Sequence, residues 1–156
     1  MDSTSKETQK QTPTAADAAT MPMDHWSAAA LLERAAPLHK LAEQKGGSAG
    51  ETLRKFPRHS AILSFRCRDG EAEIHENFAD VFVVLDGHTT LVTGGAIAGS
   101  TNTAPGEIRG TAVEGGARQE LRAGDVAHVP AGLSHQMLVA NGETVTCLVM
   151  KVQENL

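Results

Sequence analysis

The stretches EIHENFADVFVVLDG (Glu73–Gly87) and GDVAHVPAGLSH (Gly124–His135) are the strongest indication of the fold. In both, β-branched and apolar residues alternate with polar ones before a turn residue, which is typical of short β-strands. Residues two apart on a strand point to the same face, so Glu73 and His75 are predicted to project together. The second stretch contains Pro130-Ala131-Gly132, which predicts a tight turn that presents a histidine at the start of the next strand.

Similar runs continue on either side of these two stretches. Eight short strands are predicted, separated by turn dipeptides and without interleaved helices, which favours an antiparallel barrel or sandwich. The predicted strands are Ala61–Cys67, Glu71–Glu76, Asp80–Leu85, Thr89–Thr93, Gln119–Leu121, Asp125–Val129, Gln136–Val139 and Thr144–Val152. The turn signals are Asp69-Gly70, Asp86-Gly87, Ala123-Gly124, Ala131-Gly132 and Asn141-Gly142.

The chain before these strands divides into two parts. Residues 1–22 are rich in Ser, Thr, Gln and Ala, and we predict a disordered tail because they cannot bury enough apolar surface. Residues 23–57 are predicted to form a helical arm, with Asp24 or Ser27 as its N-cap, and residues 58–156 the barrel. Pro37 lies within the helical pattern and predicts a kink or two short helices. The apolar stripe of the arm either covers an open end of the barrel or binds a partner.

The segment Gly94–Gly116 differs from the rest, since it holds seven of the 15 glycines. We predict a long loop that forms a mobile lid over the barrel, with Arg109 clamping a carboxylate or phosphate. The alternative is a solvated loop without ligand contacts.

Composition excludes several classes of function. A net charge of −5, four Phe, one Trp and no Tyr argue against a nucleic-acid surface. Cys67 and Cys147 are too few for a disulfide scaffold or a thiolate zinc site. No apolar run is long enough for a membrane span, and no secretory signal is visible, so we expect a cytoplasmic protein that does not bind membranes.

The two opening stretches resemble the two conserved motifs of the cupins. Glu73, His75, Asp80 and Gly87 match the spacing of the first motif. The second motif, Gly, five to seven residues, Pro-x-Gly, two residues, His, is met by Gly124, Pro130, Gly132 and His135. The resemblance covers about residues 61–152. It implies an all-β fold of the cupin type, an antiparallel barrel also called a double-stranded β-helix or jelly roll, here with a short N-terminal helical arm.

The departures from the motifs fall at the ligand positions. Cupins with full motifs bind a divalent metal through three His and one Glu. Here the first His position is Glu73, the Glu position is Asp80 and the final Asn position is Val139, whereas His75 and His135 keep the family's ligand type. The resemblance therefore implies one divalent metal (Fe, Mn, Ni or Zn) held by these four donors, with Asp80 either ligating or orienting a ligand. The alternative is a pocket without metal.

Strand parity suggests which residues surround this site. Phe82 shares the parity of Asp80, and Met137 shares that of His135, so both are predicted to form the apolar wall beside the metal. His128 either faces the barrel interior or packs outside.

We predict that Glu73 and Asp80 carry acid–base or ligating roles in an enzyme acting on a small organic molecule, of oxygenase, lyase or isomerase type. The alternative is a small-molecule binding protein without catalysis, and in either case we expect a homodimer.

Overall fold

The computed structural model describes residues 22–154, so the predicted tail of residues 1–22 lies almost wholly outside the described part. Within these residues, one helix, α1 (Ala28–Gln44), precedes twelve strands. The strands are β1 (Ser48–Lys55), β2 (His59–Arg66), β3 (Ala72–His75), β4 (Phe78–Thr93), β5 (Ala96–Ala98), β6 (Thr101–Ala104), β7 (Glu107–Gly110), β8 (Ala112–Glu114), β9 (Ala117–Arg122), β10 (Val126–Val129), β11 (His135–Leu138) and β12 (Val145–Gln153). The predicted all-β class is confirmed.

The long strand β4 joins the two faces of the barrel. Its first half pairs antiparallel with β10 and β12, and its second half pairs with β9 and β11. The hydrogen-bonded order across the curled sheet is β1-β2-β12-β4-β11-β3-β7-β6. Apolar side chains from both faces, among them Phe82, Val84, Met137, Val145 and Cys147, meet in the barrel core. Burial raises the pKa of the Cys147 thiol to about 12, so this cysteine is an inert core residue.

The predicted turn at Asp86-Gly87 is wrong, because β4 runs through it. Opposite these residues the pairing with β12 shifts between Thr146 and Cys147, so a β-bulge bends the strand from one face to the other. Gly87 has φ +82°, and a Cβ there would lie 1.9 Å from the Thr144 carbonyl oxygen. The glycine is therefore needed for the bend rather than for a hairpin.

Replacing Gly87 with Ala should destabilise the fold by well over the ~1–2 kcal/mol that left-handed backbone strain alone costs. Gly142→Ala is the matched control, because Gly142 has the same φ of +82° but no atom within 4 Å of an added Cβ. Urea unfolding of both variants measures the difference. Equal losses of unfolding free energy in the two variants would show that the close backbone approach at Gly87 does not make its replacement more destabilising.

Helix α1 packs on the outer face of β1 and β2. Ser27 caps it by accepting from the Ala30 backbone N–H, and its apolar stripe is buried. This second core consists of Leu31, Ala35, Leu38 and Ala42 against Leu53, Ala61, Leu63 and Phe65. The stripe is thus used within the chain and is not free for a partner, while the homodimer stays a prediction.

In residues 22–154, no helix combines the length and apolar character needed to cross a bilayer.

Two features of the predicted arm are wrong. Pro37 does not divide α1 into two helices, since it lies on the exposed side of a continuous helix where the Glu33 carbonyl can bind water. The second half of the predicted arm is strand β1, which pairs with β2, so the barrel begins at Ser48 rather than at residue 58. Its sequence, SAGETLRK, did not indicate a strand because Leu53 is its only fully buried side chain.

The predicted lid is also wrong, because Gly94–Gly116 forms four strands. β5 pairs with β8, and β6 pairs with β7. β7 pairs with β3 along its whole length, placing Arg109 opposite Glu73 and Glu107 opposite His75. Strands β6 and β7 therefore belong to the main sheet, β5 and β8 form a separate two-stranded sheet, and β7 brings two charged residues to the candidate site.

Candidate metal centre

Three strands bring the four predicted ligands together inside the barrel. Glu73 and His75 lie on β3, Asp80 on β4 and His135 on β11, which pairs with β3 so that His135 is opposite Glu73. His75, His135 and Asp80 are each no more than 5% exposed, although all three are polar. Polar groups this deeply buried require partners, and here they face one another.

The donor atoms of these residues converge on one point. The Nε2 atom of His75 lies 3.4 Å from Glu73 Oε2 and 3.3 Å from Asp80 Oδ2. The Nε2 atom of His135 lies 3.5 Å from each of the same two oxygens. Among residues 22–154, Glu73, His75 and His135 are the group of metal-ligating type whose donor atoms all lie within 4.8 Å of one another.

These separations fit a metal ion. Ligand atoms bound tetrahedrally at ~2.0–2.1 Å lie about 3.3–3.4 Å apart, which is close to the spacing found here. The Nε2 atom of His135 and the Oδ1 atom of Asp80 are also buried without a hydrogen bond from any described residue. An unpaired imidazole nitrogen facing two carboxylates is suited to coordinate a divalent cation.

Both imidazoles are fixed from behind by hydrogen bonds. The Nδ1–H of His75 donates to Glu107 Oε2 at 2.5 Å, and the Nδ1–H of His135 donates to the Leu133 carbonyl at 3.1 Å. A carboxylate or a backbone carbonyl on the far nitrogen is the usual partner of a metal-binding histidine, because it fixes the tautomer and the ring orientation. In both rings Nε2 is therefore the nitrogen directed at the site.

Replacing Glu107 with Gln should weaken metal binding by about ten- to a hundredfold, since the carboxylate that orients His75 and raises its basicity is lost. Competition with a chelating dye measures the affinity. Glu114→Gln on the exposed strand β8 is the control and should leave the affinity unchanged. The same affinity in both variants would refute the orienting role of Glu107.

The two carboxylates are in turn held by cations. Arg109 forms a charged hydrogen bond with Glu73 Oε1 and lies 3.8 Å from Glu71. The Lys151 Nζ atom lies 3.5 Å from Asp80 Oδ1. Each carboxylate thus presents one oxygen to the imidazoles and the other to a cation, which fixes its orientation. Arg109 was predicted to clamp a ligand, but in the structure it is engaged with Glu73.

In all four groups, the opposite charges across the cluster shift the pKa more than burial does. Burial alone would raise the pKa of Glu73, yet the facing imidazoles and Arg109 hold it well below its usual range. Against the same effect of burial, the imidazoles and Lys151 lower the pKa of Asp80. Burial would lower the pKa values of His75 and His135, but Asp80 and Glu73 raise both to about 9. Without metal, two imidazolium ions therefore face two carboxylates at neutral pH.

The site opens into a cavity of about 170 Å³. Phe82 and Met137 line it, as strand parity predicted, and Arg109 lines it as well, from strand β7 rather than from a lid. His128 does not line it: its side chain is 55% exposed on β10 and lies 3.7 Å from Glu154. The possible role of His128 in the pocket is therefore wrong, because β10 turns this residue to the solvent side.

Three charged residues of the site were not identified from the sequence. Glu107 lay in the presumed loop, and Lys151 and Arg66 lie on β12 and β2, outside the motif stretches. On β2, Arg66 follows the buried residues Ala61, Leu63 and Phe65 in strict alternation, which is a signal that it faces the other side of the strand. The sequence alone does not show that this side is the barrel interior.

The comparisons with known proteins establish the fold. No family model matches the sequence, and no curated protein does. Among solved structures, a Klebsiella pneumoniae protein with a double-stranded β-helix domain has a TM-score of 0.53 at 14% identity, over 71% of this chain and 81% of that one. The cupin domain of Cnp3 from Schizosaccharomyces pombe has a TM-score of 0.53 at 12% identity, over 69% of this chain and 65% of that one.

An enzyme also shares this architecture. The DMSP lyase DddQ from Ruegeria pomeroyi has a TM-score of 0.52 at 14% identity, over 72% of this chain and 50% of that one. The present chain thus spans about half the length of the lyase. At these identities the likeness concerns the fold alone, and the chain has the double-stranded β-helix fold of the cupins, as the two motifs predict.

Proposed function

We propose that this protein binds one divalent transition metal inside the barrel and is a metal-dependent enzyme that acts on a small organic molecule. One observation carries the proposal: both histidines are fixed through Nδ1, so that their Nε2 atoms converge with two carboxylate oxygens at 3.3–3.5 Å. His75, His135 and Glu73 would hold the metal. Two imidazoles with a carboxylate suit Fe(II), Mn(II), Ni(II) or Zn(II) and leave positions open for substrate.

A metal bound here would supply Lewis-acid polarisation of a substrate oxygen or, if it is iron, oxygen chemistry. The residues of this chain would do the rest. Asp80 is buried beside the same point, so its Oδ2 atom is placed to orient a ligand or to accept a hydrogen bond from the substrate. Phe82 and Met137 form the apolar wall that keeps water from the reacting atoms.

Metal analysis of protein purified without a histidine tag tests the proposal. We expect about one metal ion per chain, since the described residues contain one such donor cluster. Iron would support an oxygenase, whereas zinc, nickel or manganese would support a lyase or an isomerase. Protein that remains free of metal after dialysis against each of these four ions would refute the proposal.

A second candidate function is that of a small-molecule binding protein without metal or catalysis. Its support is the charge balance of the cluster, in which two imidazolium ions and two carboxylates compensate each other without a cation. Ligand-induced thermal stabilisation without turnover, in protein that takes up no metal, would favour this second function. Turnover that depends on added metal would favour the enzyme.

A further inference from the structure

We propose that Arg66 recognises a carboxylate, so that the ligand of this cavity is a small organic anion; this inference rests on the proposed function of the same site. Arg66 is on β2, two residues after Ser64 on the same face, and both side chains line the cavity that contains His75 and His135. It therefore lies inside the barrel, opposite the strands that carry the candidate ligands.

The guanidinium of Arg66 has no partner of its own in the described part of the chain. The other two cations of the cavity are engaged, Arg109 with Glu73 and Lys151 with Asp80. Arg66 forms neither an ion pair nor a side-chain hydrogen bond with residues 22–154, although it is only partly exposed. The Arg66 nitrogens are not among the fully buried atoms that lack a partner, so they stay accessible from the cavity, and a carboxylate matches the fork geometry of their donors.

The backbone makes room for this guanidinium. It lies against Gly70, where an added Cβ would be 2.9 Å from Nη1 and 3.0 Å from Cζ of Arg66. The absence of a side chain at this buried position lets the guanidinium pack closely against the Gly70 backbone. No ion pair with a described residue occupies its donors.

The charges that line the cavity indicate the sign of the ligand. Arg66, Arg109 and Lys151 face Glu71, Glu73 and Asp80 in the lining, and Glu107 adds a fourth carboxylate behind His75. When both histidines are neutral, a bound divalent metal then leaves one positive charge uncompensated. An anionic ligand would neutralise this excess in a site where burial strengthens electrostatic interactions.

The volume of the cavity indicates the size of the ligand. Pockets for drug-sized ligands hold about 300–1,000 Å³, and this one holds about 170 Å³. Only a compound with few heavy atoms fits, so recognition must depend on one or two strong polar contacts. A short carboxylate bound by Arg66 satisfies both conditions.

Malonate is a suitable probe, with the neutral malonamide as its near-isosteric control. Calorimetry at constant ionic strength should show that the zinc-loaded protein binds malonate at least tenfold more tightly than malonamide. Arg66→Ala should weaken malonate binding by about ten- to a hundredfold, and Arg66→Lys should restore part of the loss. Arg118→Ala on the exposed strand β9 should change nothing, and thermal melting verifies that each variant is folded.

Several outcomes would overturn the inference: unchanged malonate affinity in Arg66→Ala, equal affinity for malonamide, or no malonate binding at all. Inorganic phosphate bound more tightly than malonate would overturn the choice of a carboxylate. Metal content, measured on the same samples, separates this inference from the proposed function. If the protein takes up zinc normally but Arg66→Ala leaves the malonate affinity unchanged, only the inference about Arg66 is contradicted. If malonate binding depends on Arg66 in protein that takes up no metal, only the metal-dependent function is contradicted.

Discussion

Replacing both His75 and His135 with Ala should reduce the bound metal from about one ion per chain to background. The two imidazoles supply the nitrogen donors of the site, and each replacement alone should weaken metal affinity by more than a hundredfold. This exceeds the 10–100-fold loss that is typical when only a residue behind a ligand is changed. Asp80→Ala should weaken binding less, because Glu73, His75 and His135 remain. Plasma emission spectroscopy on dialysed protein gives the metal content.

His128→Ala is the matched control for this experiment. His128 is a histidine of the same barrel, but it is exposed and lies outside the cavity. Its replacement should leave the metal content unchanged. Full metal content in the double variant would show that the ion binds elsewhere, and the assignment of the site would be wrong.

Metal affinity should rise by at least a hundredfold between pH 7 and pH 9. The pKa values of His75 and His135 are both raised to about 9, so both rings are protonated at neutral pH without metal. Coordination requires the neutral rings, and each displaced proton contributes up to about tenfold in affinity per pH unit. Competition with a chelator of known pH dependence measures the change. A pH-independent affinity would contradict the charge state assigned to the cluster.

The stability of the metal-free protein should change in the opposite direction over this range. Because the folded-state pKa of each imidazole is raised from 6.5 to about 9, their contribution is complete below pH 6.5 and is lost as the pH rises towards 9. The pKa values of Glu73 and Asp80 are lowered, so their contribution is present above about pH 4.5 and lost on acidification. Urea unfolding should therefore show greatest stability near pH 5–6.5.

The strands that carry a strong alternating pattern could be predicted from the sequence, whereas those stabilised mainly by pairing could not. β2 and β12 follow predicted runs because β2 buries apolar side chains against the helix and β12 buries them in the barrel core and against the helix. β1 and β6 have mostly exposed side chains, so the pattern that identifies a half-buried strand is missing. Gly87 was interpreted as a hairpin residue because a bulge in a long strand uses the same positive φ as a turn.

The candidate site was predictable where its residues lie in the two motif stretches. The resemblance to the cupin motifs indicated Glu73, His75, Asp80 and His135 as candidate ligands, and the structure brings these four together. Glu107 and Lys151 were missed because long-range pairing places them, β7 beside β3 and β12 beside β4. No local pattern in a single sequence specifies such a register, so the groups that orient the candidate ligands become visible only in the folded chain.

The most direct test of the metal centre is anomalous diffraction from crystals grown with cobalt or zinc, recorded on both sides of the metal's absorption edge. We expect one anomalous peak inside the barrel, within about 2.0–2.2 Å of the Nε2 atoms of His75 and His135 and of a Glu73 carboxylate oxygen. A cavity without a peak, while the same crystals show the metal bound elsewhere, would contradict the assignment of this cluster as a metal site.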